Sequence, residues 1–264
     1  MRNLIIYLYK RKILKRIIPS ILKIIIKFYK KKFIIIKYKN FLLNLNLKNP
    51  IDREIYLKNE YEKDNIQQLE EIIRKDDIKI FIDVGSHMGF YALNIASNEK
   101  MTVYAFEPIN INFDQLSENI KINNYKNIKK FNVALSNIKS RILMWVPDKN
   151  KTGGYSIYNE KDIELNKYNK DEICQTYVSA DRGDNLIKIK NHKIAIKIDV
   201  ERSEKYVLLG FEELILNNKI FLQIEIFDQL ELEMNKFLFK YNFKFLNKNG
   251  KDYFYKNYWA DDRL

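Results

Sequence analysis

Acidic side chains punctuate the ends of short apolar runs in this chain. Asp83 sits in Lys79-Ile80-Phe81-Ile82-Asp83-Val84, Glu107 closes Met101-Thr102-Val103-Tyr104-Ala105-Phe106, and Asp199 comes at the end of Ile194-Ala195-Ile196-Lys197-Ile198. Behind the first lies Gly85-Ser86-His87-Met88-Gly89, two glycines four residues apart, leading into an amphipathic stretch, Tyr91 to Ser97. The run before the turn is too short and too β-branched for a helix and suits a parallel strand buried on both faces. Glycines after it let the backbone turn sharply and approach a ligand at the N-terminus of the next helix.

Charge selects the ligand. Phosphate-binding dinucleotide turns read G-x-G-x-x-G, whereas this one reads Gly85-x-x-x-Gly89 beside the carboxylate of Asp83, which repels phosphate. S-adenosylmethionine carries instead an ammonium and a sulfonium, both of which a carboxylate attracts. Glu107 stands near the ~20-residue offset at which an acidic side chain holds a ribose diol in such folds. Asp83, Gly85, Ser86, Gly89 and Glu107 are therefore the candidate cofactor-binding residues.

Methyl transfer from a sulfonium is mostly a matter of positioning, because the leaving group is neutral. A hydroxyl acceptor must still lose its proton, so a base or a metal belongs beside the methyl group. Asp199 is the first candidate base. Lys197, two residues earlier, would stabilise developing negative charge, and Glu201, two residues later, falls on the same side if the strand continues. With Glu225, Glu201 would also offer oxygen ligands to Mg²⁺. The competing account of Lys197, Asp199 and Glu201 is a structural ion-pair cluster; charges in an otherwise apolar central strand are costly to bury, which favours function. His87 lines the turn, and neither it nor His192 has a partner at metal-ligand spacing.

The segments Phe81 to Tyr91, Val103 to Pro108, Leu116-x-x-Asn119, Ala134-Leu135-Ser136, and Ile196 to Glu201 with Glu204 and Gly210, in that order, resemble the FkbM family of S-adenosylmethionine-dependent methyltransferases. The resemblance implies an α/β fold with a Rossmann-like seven-stranded sheet, and O-methylation, often of sugars in polysaccharides, lipid-linked glycans or natural products. It implies that Ala134, at the end of the third strand, lies along adenine, with backbone groups making the contacts. Two positions depart from the pattern. Arg202 stands where the family has glycine, so either the backbone there does not need positive φ or the site is altered. Phe227 stands where the family often has histidine. Were Arg202 to pair with Asp199 or block the cleft, the alternative would hold: a catalytically degenerate binding protein tethered to an anionic membrane.

The elements that must position these residues alternate as a doubly wound sheet requires. Helices are expected near Glu60 to Arg74, over Ile111 to Asn123 and over Leu230 to Tyr241, with strands at Ile128 to Val133, Arg141 to Val146 and Phe221 to Ile226. A closing hairpin pairs Phe243–Leu246 with Tyr253–Tyr255. The stretch from Pro147 to Ile173 reads as an irregular overhang above the carboxyl end of the sheet, where Tyr155, Ser156 and Tyr158 are candidates for holding a sugar acceptor.

Fourteen of the 47 Lys and Arg residues fall within residues 1–50, which contain no Asp or Glu, and the other 33 face 34 acids. The surplus charge belongs to an arm; the nearly neutral body offers no extended basic track, so nucleic acid is not an expected partner. Leu14, Ile18, Ile21, Ile25 and Phe28 fall at helical spacing, with Lys12, Arg16, Lys23, Lys27 and Lys30 on another face. This is a basic amphipathic helix restarted near Pro19-Ser20. Lysines interrupt every apolar run, which argues against both a membrane span and a signal peptide. The protein is expected to be cytoplasmic, with residues 2–39 lying on the anionic inner face of a membrane or else packing on the domain. Two strands, Phe33 to Tyr38 and Phe41 to Leu47, form a hairpin before the core. The boundary falls between Tyr38 and Pro50, dividing an arm and hairpin (1–48) from a methyltransferase domain (49–264), and the polar segment Ile51 to Ile55 follows a break at Asn49-Pro50. The single cysteine, Cys174, makes no internal disulfide.

Overall fold

The computed structural model describes residues 2–9, 17–20, 33–146, 156–157 and 174–259. Most of the expected amphipathic helix, including Leu14, Ile21, Ile25 and Phe28, lies outside the described residues. Helix α1 (Arg2–Tyr9) lies against the body: the Arg2 guanidinium donates to the backbone oxygens of Tyr56 (3.2 Å) and Lys37 (3.4 Å) and to the Asn59 side chain (2.7 Å). No helix among the described residues is long and apolar enough to cross a membrane.

Strands β1 (Phe33–Tyr38) and β2 (Phe41–Asn46) form the expected antiparallel hairpin. Leu43 and Leu45 are fully buried, in the same apolar cluster as Phe81, Leu93 and Leu116. Asn119 and Asn123 accept the β2 backbone N–H groups of Asn44 (2.6 Å) and Leu42 (2.7 Å), so the hairpin shares its core and its hydrogen bonds with the body. The expected break at Asn49-Pro50 is instead the start of helix α2 (Pro50–Lys58). The Asn49 side chain accepts the Ile51 N–H at 3.1 Å, and proline at the first helical position gives up a donor that the helix does not use. Helix α3 (Lys63–Lys75) follows.

The main sheet is built from β3 (Ile80–Val84), β4 (Thr102–Phe106) and β5 (Ile128–Phe131), joined through helices α4 (Phe90–Ala96) and α5 (Asn110–Ile122). The chain then forms β6 (Ala134–Leu135), β7 (Ser140–Val146), β8 (Ser156–Ile157), β9 (Cys174–Asp181) and the short α6 (Gly183–Leu186). It re-enters the main sheet as β10 (Lys193–Ile198) and, after α7 (Glu204–Gly210) and α8 (Glu212–Leu216), as β11 (Lys219–Glu225). Helix α9 (Glu231–Lys240) leads to the closing hairpin β12 (Lys244–Asn249) and β13 (Asp252–Lys256).

The order is β12-β13-β11-β10-β3-β4-β5, with β13 antiparallel to both β12 and β11 and the four remaining neighbour pairs parallel. This is the seven-stranded Rossmann-like sheet. Strands β4 and β5 lie on one side of β3, β10 and β11 on the other, so the chain reverses direction across the β3–β10 gap. Open α/β sheets bind ligands outside the carboxyl ends of strands at such a reversal.

Sequence reasoning missed a second sheet, of order β6-β9-β7-β8. The third strand ends at Phe131 rather than Val133, and Ala134–Leu135 pairs with β9 instead. Helix α7 packs on the end of β6: a Cβ on Gly210 would stand 2.1 Å from the carbonyl oxygen of Ser136, so only glycine allows that approach.

If the hairpin is integral to the core, Leu45→Ala will lower the unfolding free energy by about 2–5 kcal/mol. An unchanged urea midpoint for the main transition would make the hairpin an appendage.

Candidate active site

A cleft opens at the carboxyl ends of β3, β4 and β10. Of the residues expected to hold the cofactor, Asp83, Gly85, Ser86, Glu107 and Ala134 line it, and so do Lys197, Asp199 and Glu201. Gly89 caps α4 and is not part of the lining. Ser156 pairs with Trp145 in β8, while Tyr155 and Tyr158 lie outside the described residues.

The turn is held from two directions. The N–H groups of Gly85 and Ser86 both donate to the Phe106 carbonyl at the end of β4 (3.0 and 2.9 Å), and the Ser86 hydroxyl donates to the Asp83 carbonyl at 2.8 Å. Gly85 has φ +82°, and a Cβ there would stand 1.9 Å from the Asp199 carbonyl oxygen. The turn therefore passes directly against the end of β10, and glycine is required twice over, by its dihedral and by the contact.

Glu107 is 4% exposed. Its Oε2 accepts the His87 N–H (2.8 Å), and its Oε1 accepts the Ile109 N–H (2.9 Å) and the Asn112 amide (3.3 Å). Burial raises its carboxyl to about 7 in spite of those donors. Asp83, 1% exposed, accepts the Ala92 N–H at 3.1 Å through Oδ2, while its buried Oδ1 has no hydrogen-bond partner. Burial pushes Asp83 up to about 6, opposed by the charge of Lys197. A fixed carboxylate at the β4 end, an unsatisfied oxygen at the β3 end and a glycine cradle between them fit the ribose and the cationic part of an adenosyl sulfonium compound.

Lys197 Nζ stands 3.0 Å from Asp199 Oδ2 and 4.7 Å from the centre of the Tyr91 ring. Burial works against its charge, but Asp199, Asp83, Glu62 and Asp252 outweigh burial and hold the ammonium above the ordinary lysine range. Burial likewise disfavours the charge on Asp199; Lys197 more than compensates, and the carboxyl ionises below its ordinary value. Burial, then the charges of Asp199 and Glu201, raises the Glu225 carboxyl to about 8, opposed by Lys251 at 4.0 Å.

Two expectations are corrected here. Strand β10 stops at Ile198, and Glu201 reaches the cleft from a turn with φ +53° rather than by strand alternation. The Mg²⁺ site expected at Glu201 and Glu225 does not fit either: no group of three His, Cys, Asp or Glu side chains among the described residues is arranged to hold a metal. The cation beside Asp199 is Lys197 at 3.0 Å, and the one beside Glu225 is Lys251 at 4.0 Å.

Arg202 has φ +76°. The backbone thus keeps the glycine-type conformation with arginine in the position, which rules out the first of the two explanations for that departure. The Arg202 guanidinium lies 4.9 Å from the centre of the Phe227 ring, and it neither lines the cleft nor ion-pairs with Asp199, whose partner is Lys197. The loop is tied by Glu204, whose Oε1 accepts the N–H groups of Arg202 (3.1 Å) and Val200 (3.3 Å). Burial raises Glu204 to about 7.

Sequence reasoning also missed the wall made by Ile51, Tyr61 and Glu62, which precede the glycine turn by more than twenty residues yet line the cleft. The second sheet adds Ile142 and Met144. No local pattern marks either group, because each joins the site through long-range packing.

The raised carboxyls fix a pH dependence. Asp52 and Glu204 at about 7, Asp83 at about 6, Glu107 at about 7 and Glu225 at about 8 all hold their protons more tightly folded than unfolded. The stability they give is complete below the ordinary carboxylate range and is lost as pH rises through the folded values, by about 1.4 kcal/mol per unit of displacement per group. The unfolding free energy of the ligand-free protein will therefore fall between pH 5 and 8 in denaturant titrations. A flat profile would mean these carboxyls ionise as in the unfolded chain.

No curated protein sequence matches the chain. Among solved structures, it is similar to methyltransferase FkbM from Methylobacillus flagellatus KT, with 13% identity and a TM-score of 0.48 over 77% of this chain. It spans about half (52%) of that longer protein. It is also similar to M. jannaschii TYW2 in complex with AdoMet, with 14% identity, a TM-score of 0.45, and 87% and 85% of the two chains covered. The Methyltransferase FkbM domain matches residues 83–245, from the carboxylate of the first core strand to the closing hairpin. With that match covering more than half of its length, the chain belongs to the FkbM methyltransferase domain family.

Proposed function

We propose that this protein is an S-adenosylmethionine-dependent O-methyltransferase acting on a sugar hydroxyl of a glycan or nucleotide-sugar. One observation carries the reading: Asp83 and Glu107, at the ends of neighbouring strands, line a single cleft on either side of the glycine turn, and neither has an ion-pair partner at contact distance among the described residues. Lys197 is the one lysine or arginine in that lining and it is paired with Asp199, which leaves the carboxyls at the two strand ends to face an adenosyl cation. When bound, S-adenosylmethionine supplies an electrophilic methyl group on sulfur.

The chain's own residues have the rest of the work. Glu107 holds the ribose diol, and the Val133–Leu135 backbone lies along the base. Asp199, kept ionised by Lys197, accepts the hydrogen of the acceptor hydroxyl and turns an oxygen lone pair toward the methyl carbon. A carboxylate with a depressed proton affinity is a weak base. It suffices, because an oxygen that has gained a methyl group releases its proton readily. Lys197 stays charged throughout and serves as a fixed cation. The sugar acceptor rests on the family resemblance and on the mixed aromatic and carboxyl character of the cleft, with Tyr61 and Glu201 in its lining. The rival reading, a degenerate binding protein, needs Arg202 on Asp199 or across the cleft; against it, Asp199 pairs with Lys197 and Arg202 lies on Phe227, outside the lining.

Calorimetry with S-adenosylhomocysteine, followed by a radiolabelled methyl assay on nucleotide-sugars and lipid-linked glycans, tests the reading. Asp199→Asn is expected to slow transfer by about 10²–10⁴-fold, the usual contribution of a positioned proton acceptor, with S-adenosylhomocysteine still bound. Undiminished transfer would remove Asp199 from the mechanism.

The acid-free arm, with its fourteen bases in residues 1–50, favours association with anionic lipid. The full chain should sediment with phosphatidylglycerol vesicles and not with phosphatidylcholine, and should be released by about 0.5 M salt as the charges are screened. Retention on neutral vesicles would assign the contact to apolar burial instead.

A further inference from the structure

If the adenosine end lies along Glu107 and Val133–Leu135, the amino-acid end of the same donor falls on the β10 side of the cleft. That end carries an ammonium. Three carboxylates stand nearby on the sheet, and each is engaged. Asp199 is paired with Lys197. Asp83 accepts the Ala92 N–H and is 1% exposed. Glu201 is pushed toward its protonated form by burial and by Asp199.

The fourth is Glu62, which lines the cleft from the link between α2 and α3, outside the region the family domain covers. Its backbone is left-handed, φ +44° and ψ +39°, a conformation that costs a non-glycine residue of order 1 kcal/mol and persists where surrounding structure enforces it. Tyr61 beside it meets Phe90 edge-on, at 5.3 Å and 87°. The carboxylate is fixed through one oxygen only. Oε2 accepts the Tyr91 hydroxyl (2.6 Å) and the Asn65 amide (3.4 Å), and the Tyr91 hydroxyl is held in turn by the Gln223 amide at 3.0 Å. Both donors to Glu62 are neutral, and among the described residues nothing donates to Oε1 and no cation pairs with the carboxylate at contact distance. Asp83 Oδ1 is buried without a partner, whereas Glu62 Oε1 is not among such buried oxygens and keeps exposed surface in the cleft that both residues line. Asp199, Asp83, Glu62 and Asp252 all act on the single ammonium of Lys197, so the floor of the cleft favours a second cation.

We infer that Glu62 Oε1 receives the ammonium of the donor's amino-acid end, making the segment before the family domain part of the cofactor site. The inference rests on the S-adenosylmethionine reading above. Hydrogen bonds to charged groups contribute about 1.5–3 kcal/mol, which corresponds to a factor of about 10–100 in affinity.

The test compares two ligands that share the adenosyl thioether but differ in the amino-acid end: S-adenosylhomocysteine and 5′-methylthioadenosine. By calorimetry, Glu62→Gln should weaken S-adenosylhomocysteine by about 10–100-fold and leave 5′-methylthioadenosine unchanged. That unchanged binding also certifies the fold. Equal loss of both ligands would make Glu62 a purely structural anchor for Tyr91, and no loss of either would leave the ammonium elsewhere; both outcomes overturn the inference. Should Glu62→Gln not fold, Glu62→Asp, which keeps the charge but withdraws it, should show the same ligand-selective loss in smaller measure. A wild-type protein that binds neither ligand would sink the donor reading itself, and the role of Glu62 with it.

Discussion

A single buried ammonium allows carboxylates to crowd the ends of three neighbouring strands. Lys197 sits in the most interior strand pairing of the sheet, in register with Asp83 on one side and Gln223 on the other, where an unpaired charge would be prohibitive. It is tolerated because Asp199 meets it at 3.0 Å and the Tyr91 ring lies 4.7 Å below it. The tolerance is mutual: without that cation, Asp83, Asp199 and Glu62 would repel one another at the floor of the cleft. One lysine does not neutralise them all. The remainder appears as raised carboxyls at Asp83, Glu107 and Glu225, each driven first by burial, and it leaves the ligand-free cleft able to accept positive charge.

The distribution of that charge explains what the sequence disclosed. The places of Asp83, Gly85 and Glu107 in the cleft were legible because they follow from position within one strand–turn–helix unit, whose geometry depends on residues a few places apart. The pairing of Lys197 with Asp199 was legible for the same reason, two residues on one strand end. Glu62 was not, since its place in the cleft depends on Tyr91 and Asn65, one of them 29 residues away. The helix at Pro50–Lys58 was hidden by its own start signal, a proline read as a break that in fact follows an asparagine cap. The second sheet was hidden because β7 and β9 pair across a long intervening stretch, and nothing in either strand announces its partner. Gly210 was visible as part of a resemblance, while its physical reason, the carbonyl of Ser136 at 2.1 Å from its missing Cβ, needed the fold.

The hairpin and α2 illustrate how a segment that looks peripheral acquires a place in the site. Asp52, on α2, is fully buried and accepts the Asn46 N–H (2.6 Å) and the Gln115 amide (2.7 Å). It ties the hairpin to α5, and the Gln115 amide also reaches the Met88 sulfur of the glycine turn at 3.6 Å. Ile51 next to it lines the cleft. The residues before Asp83 therefore brace the turn from below and wall the cleft from the side, two tasks that the strand–turn–helix unit cannot perform for itself.

The loop after β10 shows how two departures from a family pattern compensate each other. Glu201 and Arg202 are both left-handed, φ +53° and +76°, a strain that glycine at the second position would relieve. Glu204 offsets part of it by accepting two N–H groups of the same loop. The arginine gains what glycine cannot: a face-on contact with Phe227 at 4.9 Å, on a ring that Lys251 also meets at 4.1 Å. The uncharged ring takes both cations on its π face. Arginine at 202 and phenylalanine at 227 thus belong to one contact, which holds the guanidinium on the ring while Lys197 pairs with Asp199.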